Sequence, residues 1–288
     1  MKLLLKGYTL LICLVIMSII SLFVGVSQLS ITDIFHLTKE QLNILLSSRI
    51  PRTVSILISG STLALAGLIM QQMMQNKFVS PTTAGTMEWA KLGILISLVC
   101  FPQGHILLKL AFAVLCSLFG TFLFVKLIEM IRVKEVIFVP LLGIMLGGIV
   151  SSFTTFIALR TNAVQSIGNW LNGNFAIITS GRYEILYLSI PLLIITYIFA
   201  NHFTIAGMGK DFSHNLGVNY EQIVRIALFI TASITALVVV TVGTLPFLGL
   251  IVPNIISIYR GDHLKNALPH TMMSVSYTHL RAHETGRN

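Results

Sequence analysis

The sequence predicts an all-α, polytopic transmembrane helical bundle, and three observations carry that expectation. Of 288 residues, 55% are hydrophobic and only 10% are charged, at a mean hydropathy of +0.87. A soluble domain of this length would carry about 25% charged residues. Runs approaching the roughly 20 apolar residues that cross a bilayer recur along the chain. Small residues also fall at helix-packing spacing: Gly60, Ala64 and Gly67 on one stripe, Gly143, Gly147 and Ser151 on another. Lipid gives no hydrophobic drive between helices, so close backbone approach is what such residues offer.

The spans read from the pattern are 4–28, 53–74, 91–102, 105–131, 136–159, 183–203, 221–243 and 247–259. The first apolar run, Leu3 to Val26, is too long for a signal-peptide core and has no convincing cleavage site, so it is read as a retained helix. The 91–102 span is short and ends at Pro102-Gln103-Gly104, a tight turn into the next helix. The last span is too short to cross upright. It follows Gly243-Thr244-Leu245-Pro246 and contains Pro253, which predicts a short or broken helix packed inside protein.

The net charge of +9 does not point to nucleic acid, because the basic residues are scattered over loops rather than gathered in one patch. Cys13, Cys100 and Cys116 sit in apolar runs with no CxxC spacing and read as packing residues. With Lys2 and Lys6 cytoplasmic, alternate loops place Lys77, Arg132, Lys134, Lys210, Arg225, Arg260 and Lys265 on the same side. Lys39, Arg49, Arg52, Arg160 and Arg182 remain opposite, so the bias favours a cytoplasmic N-terminus. Arg49 and Arg52 then lie outside, against the rule, and call for another role. Pro51 between them suits a helix start, where its missing N–H costs nothing.

No catalytic constellation is visible. Glu129, Glu135, Glu184, Glu221 and Asp262 stand near span ends, within reach of water, and no buried carboxylate pair suggests acid–base work. Lys109 and Lys126 fall within a span near enough to its ends to snorkel. The polar, glycine-rich loop Gly207–Asn219 is no phosphate cradle: Gly209-Lys210 is followed by Asp211, and Thr204 stands where the first glycine of GxxxxGK[ST] is required. Neither a nucleotide nor any other cofactor is expected.

Several ordered motifs resemble one family. Arg49-Ile50-Pro51-Arg52, then Gly60, Leu65-Ala66-Gly67, Gln71-Gln72, and Asn76-Lys77-Phe78-Val79-Ser80-Pro81 with Gly85 are similar to the FecCD-type permeases. These are the membrane subunits of bacterial ABC importers for ferric siderophores, haem and cobalamin. Gly249-Leu250-Ile251-Val252-Pro253-Asn254, near Gly243 and Phe247, resembles the second signature, and Leu216-Gly217-Val218 falls where the cytoplasmic loop would be. Gly85 to Lys91 looks like the ferric-siderophore branch, catecholate importers included, with cobalamin or haem as the alternative cargo. Many members carry Pro-His and an arginine in the second signature, where this chain has Pro253-Asn254 and Ser257.

The resemblance implies a non-enzymatic, multi-pass subunit of the bacterial cell membrane. Its partners would be a separate ATP-binding subunit, an extracytoplasmic substrate-binding protein, a second permease subunit and the surrounding lipid. Surface glutamates of the binding protein would dock on Arg49 and Arg52, whose guanidinium forks match carboxylates bidentately. A helical elbow containing Gly207, Gly209, Lys210, Asp211, Leu216 and Gly217 would couple to the ATPase. The second helix and the 244–254 turn would line the path, with Met70, Gln71, Met74, Gly249, Pro253 and Asn254 as candidates. A methionine cluster on a membrane helix more often serves packing. Asn169-Trp170-Leu171-Asn172-Gly173 resembles a family loop element; the alternative reading of Trp170 is an interfacial anchor. An ion-coupled secondary transporter, the rival from another class, would need intramembrane ionisable residues and an inverted repeat.

The character changes at the end of the chain. SYTHLRAHETGRN is polar, and Val275 to Thr285 resembles the translation of a synthetic adapter used to tag DNA fragments. The expected division is therefore a truncated permease domain over 1–273 and a non-native tail over 274–288. A ten-helix family subunit would then be represented by about eight spans. His279 and His283, four apart beside Glu284, could share a metal, but no third ligand is near and the HExxH order is missing.

Overall fold

A computed structural model describes residues 7–23, 38–131, 136–171, 173–175, 178–261 and 263–285. The expectations resting on Lys2, Lys6, Arg132, Lys134, Glu135, Asn172 and Asp262 lie outside the described residues, as do 24–28 of the first span and 286–288 of the tail. The same holds for the side chains of Asn169, Trp170, Arg260, His279, His283 and Glu284.

Twelve helices are described: α1 (Gly7–Phe23), α2 (Lys39–Ile44), α3 (Ile50–Met73), α4 (Thr86–Cys100), α5 (Ile106–Met130), α6 (Phe138–Arg160), α7 (Val164–Leu171), α8 (Ser189–Ala206), α9 (Lys210–Asn215), α10 (Tyr220–Thr241), α11 (Leu248–Arg260) and α12 (Leu264–Thr285). Thr38 starts α2 with a capping box: its hydroxyl accepts from Gln41 N at 3.4 Å, and the Gln41 side chain accepts from Thr38 N at 2.9 Å. A π turn over Leu45–Arg49 joins α2 to α3, where Pro51 stands in the first turn as expected. A 3-10 turn over Tyr183–Leu188 leads into α8.

Among the described residues, five helical segments are long and apolar enough to cross a bilayer: 39–73, 106–130, 138–160, 183–206 and 220–241. In α3 and α10, 78% of the apolar window is buried by protein, against 22%, 28% and 22% in the segments containing α5, α6 and α8. The first two are therefore the centre of the bundle and the other three its outer wall. Ile56, Leu63, Ala236, Val239 and Val240 join α4 residues in one part of the core, and Leu65, Ile69, Ile230 and Ile234 join α8 in another.

Two elements correct the sequence reading. α4 begins at Thr86, not 91, so Glu88 and Trp89 lie inside the helix. Glu88 and Lys91 pair with each other and stay within the packed helix, so charge at this point does not end it. The second correction is α12, which no predicted span contained. Leu264, Ala267, Leu268, Thr271, Val275 and Ser276 are its buried positions among the described side chains, a stripe at helical spacing amid polar neighbours. The expected boundary between 273 and 274 falls within this helix, and Val275 and Ser276 rest against Gly60 of α3.

α3 and α11 meet through their backbones. A Cβ on Gly67 would collide with the Gly249 carbonyl, so only glycine permits this crossing. Gly67→Leu is expected to abolish the native packing, seen as loss of a cooperative thermal transition in detergent. Gly148, with nothing within 4 Å of an added Cβ, is the control. Gly148→Ala should fold normally and gain about 0.5–1 kcal/mol of helix stability.

Candidate functional site

The functional geometry is organised by two breaks in the helical ladder, 74–85 and 242–247. Thr86 shares a 3.0 Å hydrogen bond with Thr121, and Gly85 packs on Gly143 and Gly147, so the first break re-enters the bundle before α4 starts. Irregular backbone is tolerated at membrane depth only where its polar groups are satisfied inside protein, and this segment supplies its own partners. The Thr83 hydroxyl accepts from Ser80 N at 2.8 Å and donates to the Phe78 carbonyl at 3.0 Å. Ala84 N reaches Ser80 O at 2.8 Å, and Thr86 N reaches Pro81 O at 3.0 Å. Val79, Ser80, Pro81, Thr83 and Ala84 are all buried.

The second break turns the chain back from the end of α10 into α11. Gly173 N and Asn174 N donate to Thr244 O (3.0 Å) and Val242 O (3.1 Å), fastening the turn to the segment after α7. Phe247 takes a left-handed φ of 63°, a strained conformation for an aromatic residue, directly before α11. α11 then runs beside the first break. Asn254 Nδ2 donates to Lys77 O at 2.8 Å and Lys77 Nζ to Ser257 Oγ at 2.8 Å, while Asn76 Nδ2 holds Val136 O at 2.8 Å. The first break is thus tied to α11, the helix that follows the second break, through Lys77, Asn254 and Ser257, and to the segment before α6 through Asn76.

At the same end of the bundle lies an elbow. Gly209 (φ 107°) and Gly217 (φ 71°) bracket α9, both in backbone conformations that disfavour a side chain. The buried Ser213 hydroxyl donates to Gly209 O at 2.8 Å and so fixes the elbow from within. Lys210 Nζ donates to Glu221 Oε1 at 2.9 Å, which pushes the lysine above its ordinary pKa. Met208, Phe212 and Leu216 turn outward, 60%, 47% and 55% exposed. A cavity of about 330 Å³ opens beneath, between Met74, Gln75, Glu129, Val136, Lys210 and Tyr220 among its lining.

These features match known proteins. The model of the FecCD transport family matches residues 13–282. The chain belongs to the FecCD transport family.

It is accordingly a multi-pass membrane transport protein. It is 54% identical over 262 residues, 91% of this chain and 83% of the relative, to the petrobactin import system permease protein YclN of Bacillus subtilis (strain 168). It is 39% identical over 258 residues, 90% and 75% of the two chains, to the petrobactin import system permease protein FatD of Bacillus anthracis. A solved chain described as of metal-chelate ABC transporter type, in an inward-facing conformation, superposes with a TM-score of 0.82 over 98% of this chain and 90% of its own, at 24% identity. At that identity the likeness concerns the fold.

The structure distributes the sequence-predicted residues of this FecCD protein over both ends and the centre. Gly207, Gly209, Lys210, Asp211, Leu216 and Gly217 come together on the elbow. Met74 lines the adjoining cavity, whereas Met70 packs in the core with Val79, Ala84 and Phe124. Gln71 is likewise buried, so in this conformation neither side chain is a wall residue. Gly249, Pro253 and Asn254 lie along α11, of which Asn254 makes the tie to Lys77. At the opposite end Arg49 is only 8% exposed and donates from Nη1 to the Leu22 carbonyl of α1 at 2.8 Å. Arg52, one turn on, is half-buried.

Sequence reasoning missed Ser80 and Thr83, whose hydroxyls replace a missing helical ladder, and the pairing of half-buried Glu88 with buried Lys91. The SPTT run was a signal for the former: Pro interrupts a helix while Ser and Thr offer local backbone bonds. Thr83→Val keeps the volume and removes the hydroxyl, leaving Ser80 N and Phe78 O short of a partner. It should lower unfolding stability by about 1–3 kcal/mol, read from denaturation in detergent, with the helical circular-dichroism signal unchanged.

Proposed function

We propose that this chain is the permease subunit of a bacterial ABC importer for a ferric siderophore. A separate ATPase would drive it, an extracytoplasmic binding protein would feed it, and a second permease subunit would face it across the path. The observation that carries the reading is the elbow: apolar Phe212 stands exposed on a short helix, and Met208 and Leu216 beside its two ends, in a segment fixed by the Ser213 bond and two left-handed glycines. Exposed apolar side chains on a stiff polar loop suit insertion into a groove on another protein. The two relatives named as petrobactin import permeases support the siderophore cargo.

In this reading the elbow end faces the cytoplasm, the N-terminus with it, and the α3 start faces outward. ATPase closure would push on α9, the Lys210–Glu221 contact would pass the movement to α10, and the bonds of Lys77 with Asn254 and Ser257 would couple the first break to α11. Alternating access then follows from biasing two arrangements of the same segments. Arg52 would dock acidic side chains of the binding protein. Arg49, occupied with α1, would hold the helix start in place for that contact.

The test is ATP-dependent uptake of a radio-iron ferric siderophore by the reconstituted complex. Phe212→Asp should abolish uptake and ATPase co-purification while leaving binding-protein capture intact. Arg52→Glu should weaken binding-protein capture at least tenfold and leave ATPase association intact. Normal uptake by both variants would refute these assignments, and uptake that persists without the ATPase would favour an ion-coupled transporter.

A further inference from the structure

Inside the bundle, α4 carries an ion pair that the coupling scheme does not use. Lys91 Nζ lies 2.6 Å from Glu88 Oε2, with the two side chains 7% and 26% exposed. Their depth follows from their neighbours. An added Cβ on Gly147 would meet Glu88 Cγ at 3.4 Å. Gly147 stands about 14 Å along α6 from Phe138, at 1.5 Å per residue, which is near the middle of that span. Thr86, just before the pair, bonds Thr121 inside α5. Charges at such depth are costly and usually face a polar path.

The pair does face a cavity. Thr82, Met87, Glu88, Lys91, Gly173, Thr244, Leu245 and Pro246 line a space of about 420 Å³. Its walls therefore come from both helix breaks together with the first turns of α4. Hydroxyl-bearing Thr82 and Thr244 accompany the charges, and Leu245 and Pro246 supply an apolar edge.

A pair retained only to neutralise itself is poorly explained by stability, because an apolar pair of similar volume is often as stable or more so. The two charges are also unequal in setting. Lys91 is the more buried, and its compact ammonium can take any oxygen donor. Glu88 is more accessible and sits in the first turn of α4, whose N-terminal dipole tolerates an anion there. An incoming anion can thus exchange with Glu88 at Lys91, while Glu88 stays favourably placed at the helix start.

We propose that Lys91, countered at rest by Glu88, is a way-station for a net-negative iron chelate at mid-depth in the translocation path. Oxygen atoms of the chelate replace the Glu88 carboxylate on the Lys91 ammonium, and return of Glu88 releases the chelate onward. The site is low in affinity by construction, since the competing carboxylate is tethered beside it. This inference rests on the importer reading.

The complete complex in proteoliposomes tests it, with an iron-loaded bis-catecholate, a net-negative chelate, presented on the binding protein. Lys91→Met should reduce the initial uptake rate at least tenfold, while ATPase stimulation by the loaded binding protein stays within twofold of wild type. Lys91→Arg should restore most of the uptake. Because Lys91→Met leaves Glu88 buried without its cation, the double variant Glu88→Gln, Lys91→Met guards against misfolding. It should assemble and still transport poorly. Wild-type uptake by the double variant would overturn the proposal and make the pair structural. If the wild-type complex itself shows no ATP-dependent uptake, the importer reading fails first and the way-station falls with it.

Discussion

A chain that leaves helical conformation at membrane depth must satisfy every freed N–H and C=O inside protein. Most of this structure follows from meeting that demand twice, over 74–85 and 242–247. The first break is met locally, by the hydroxyls of Ser80 and Thr83 and by carbonyls a few residues back. The second is met from elsewhere, by the amides of Gly173 and Asn174. Each solution shapes its surroundings. The first shortens α4 to 15 residues, and the second leaves α11 with 13, too few to cross alone.

Close packing around the breaks is then a necessity. α11 starts deep in the bundle because Gly249 and Gly67 allow two backbones to touch, and the first break nests on α6 because Gly143 and Gly147 do the same. With the backbones this near, a side chain of α11 can bridge directly to the first irregular segment, as Asn254 does to Lys77. The result is a helical frame with two irregular inserts, the first held to α11 and sharing a cavity with the exposed elbow. Such an arrangement can hold two discrete states, which is what a gated path requires.

Much of this was legible in the sequence, and the failures have a common cause. Long apolar runs gave α3, α5, α6, α8 and α10 with small errors at their ends, since lipid demands apolar side chains whatever the tertiary contacts. The short α11 was legible from Gly243, Pro246 and Pro253. The start of α4 and all of α12 were not, because hydropathy reads an ion pair as an edge and a one-sided stripe as polar chain. The elbow residues were found together through their resemblance to a family loop. Burial of Arg49 and Met70 could not be read from residue type, because it depends on which neighbours reach them: the Leu22 carbonyl in one case, Phe124 and Val79 in the other.

Hydrogen–deuterium exchange of the backbone amides between Val79 and Thr86, in the membrane-embedded protein, is the most direct test of the claim that the first break is a satisfied, buried part of the bundle. The account predicts protection comparable to the centre of α10, and far above the Phe101–His105 turn. Exchange as fast as in that turn would show that the break is open to water, and the frame described here would be wrong.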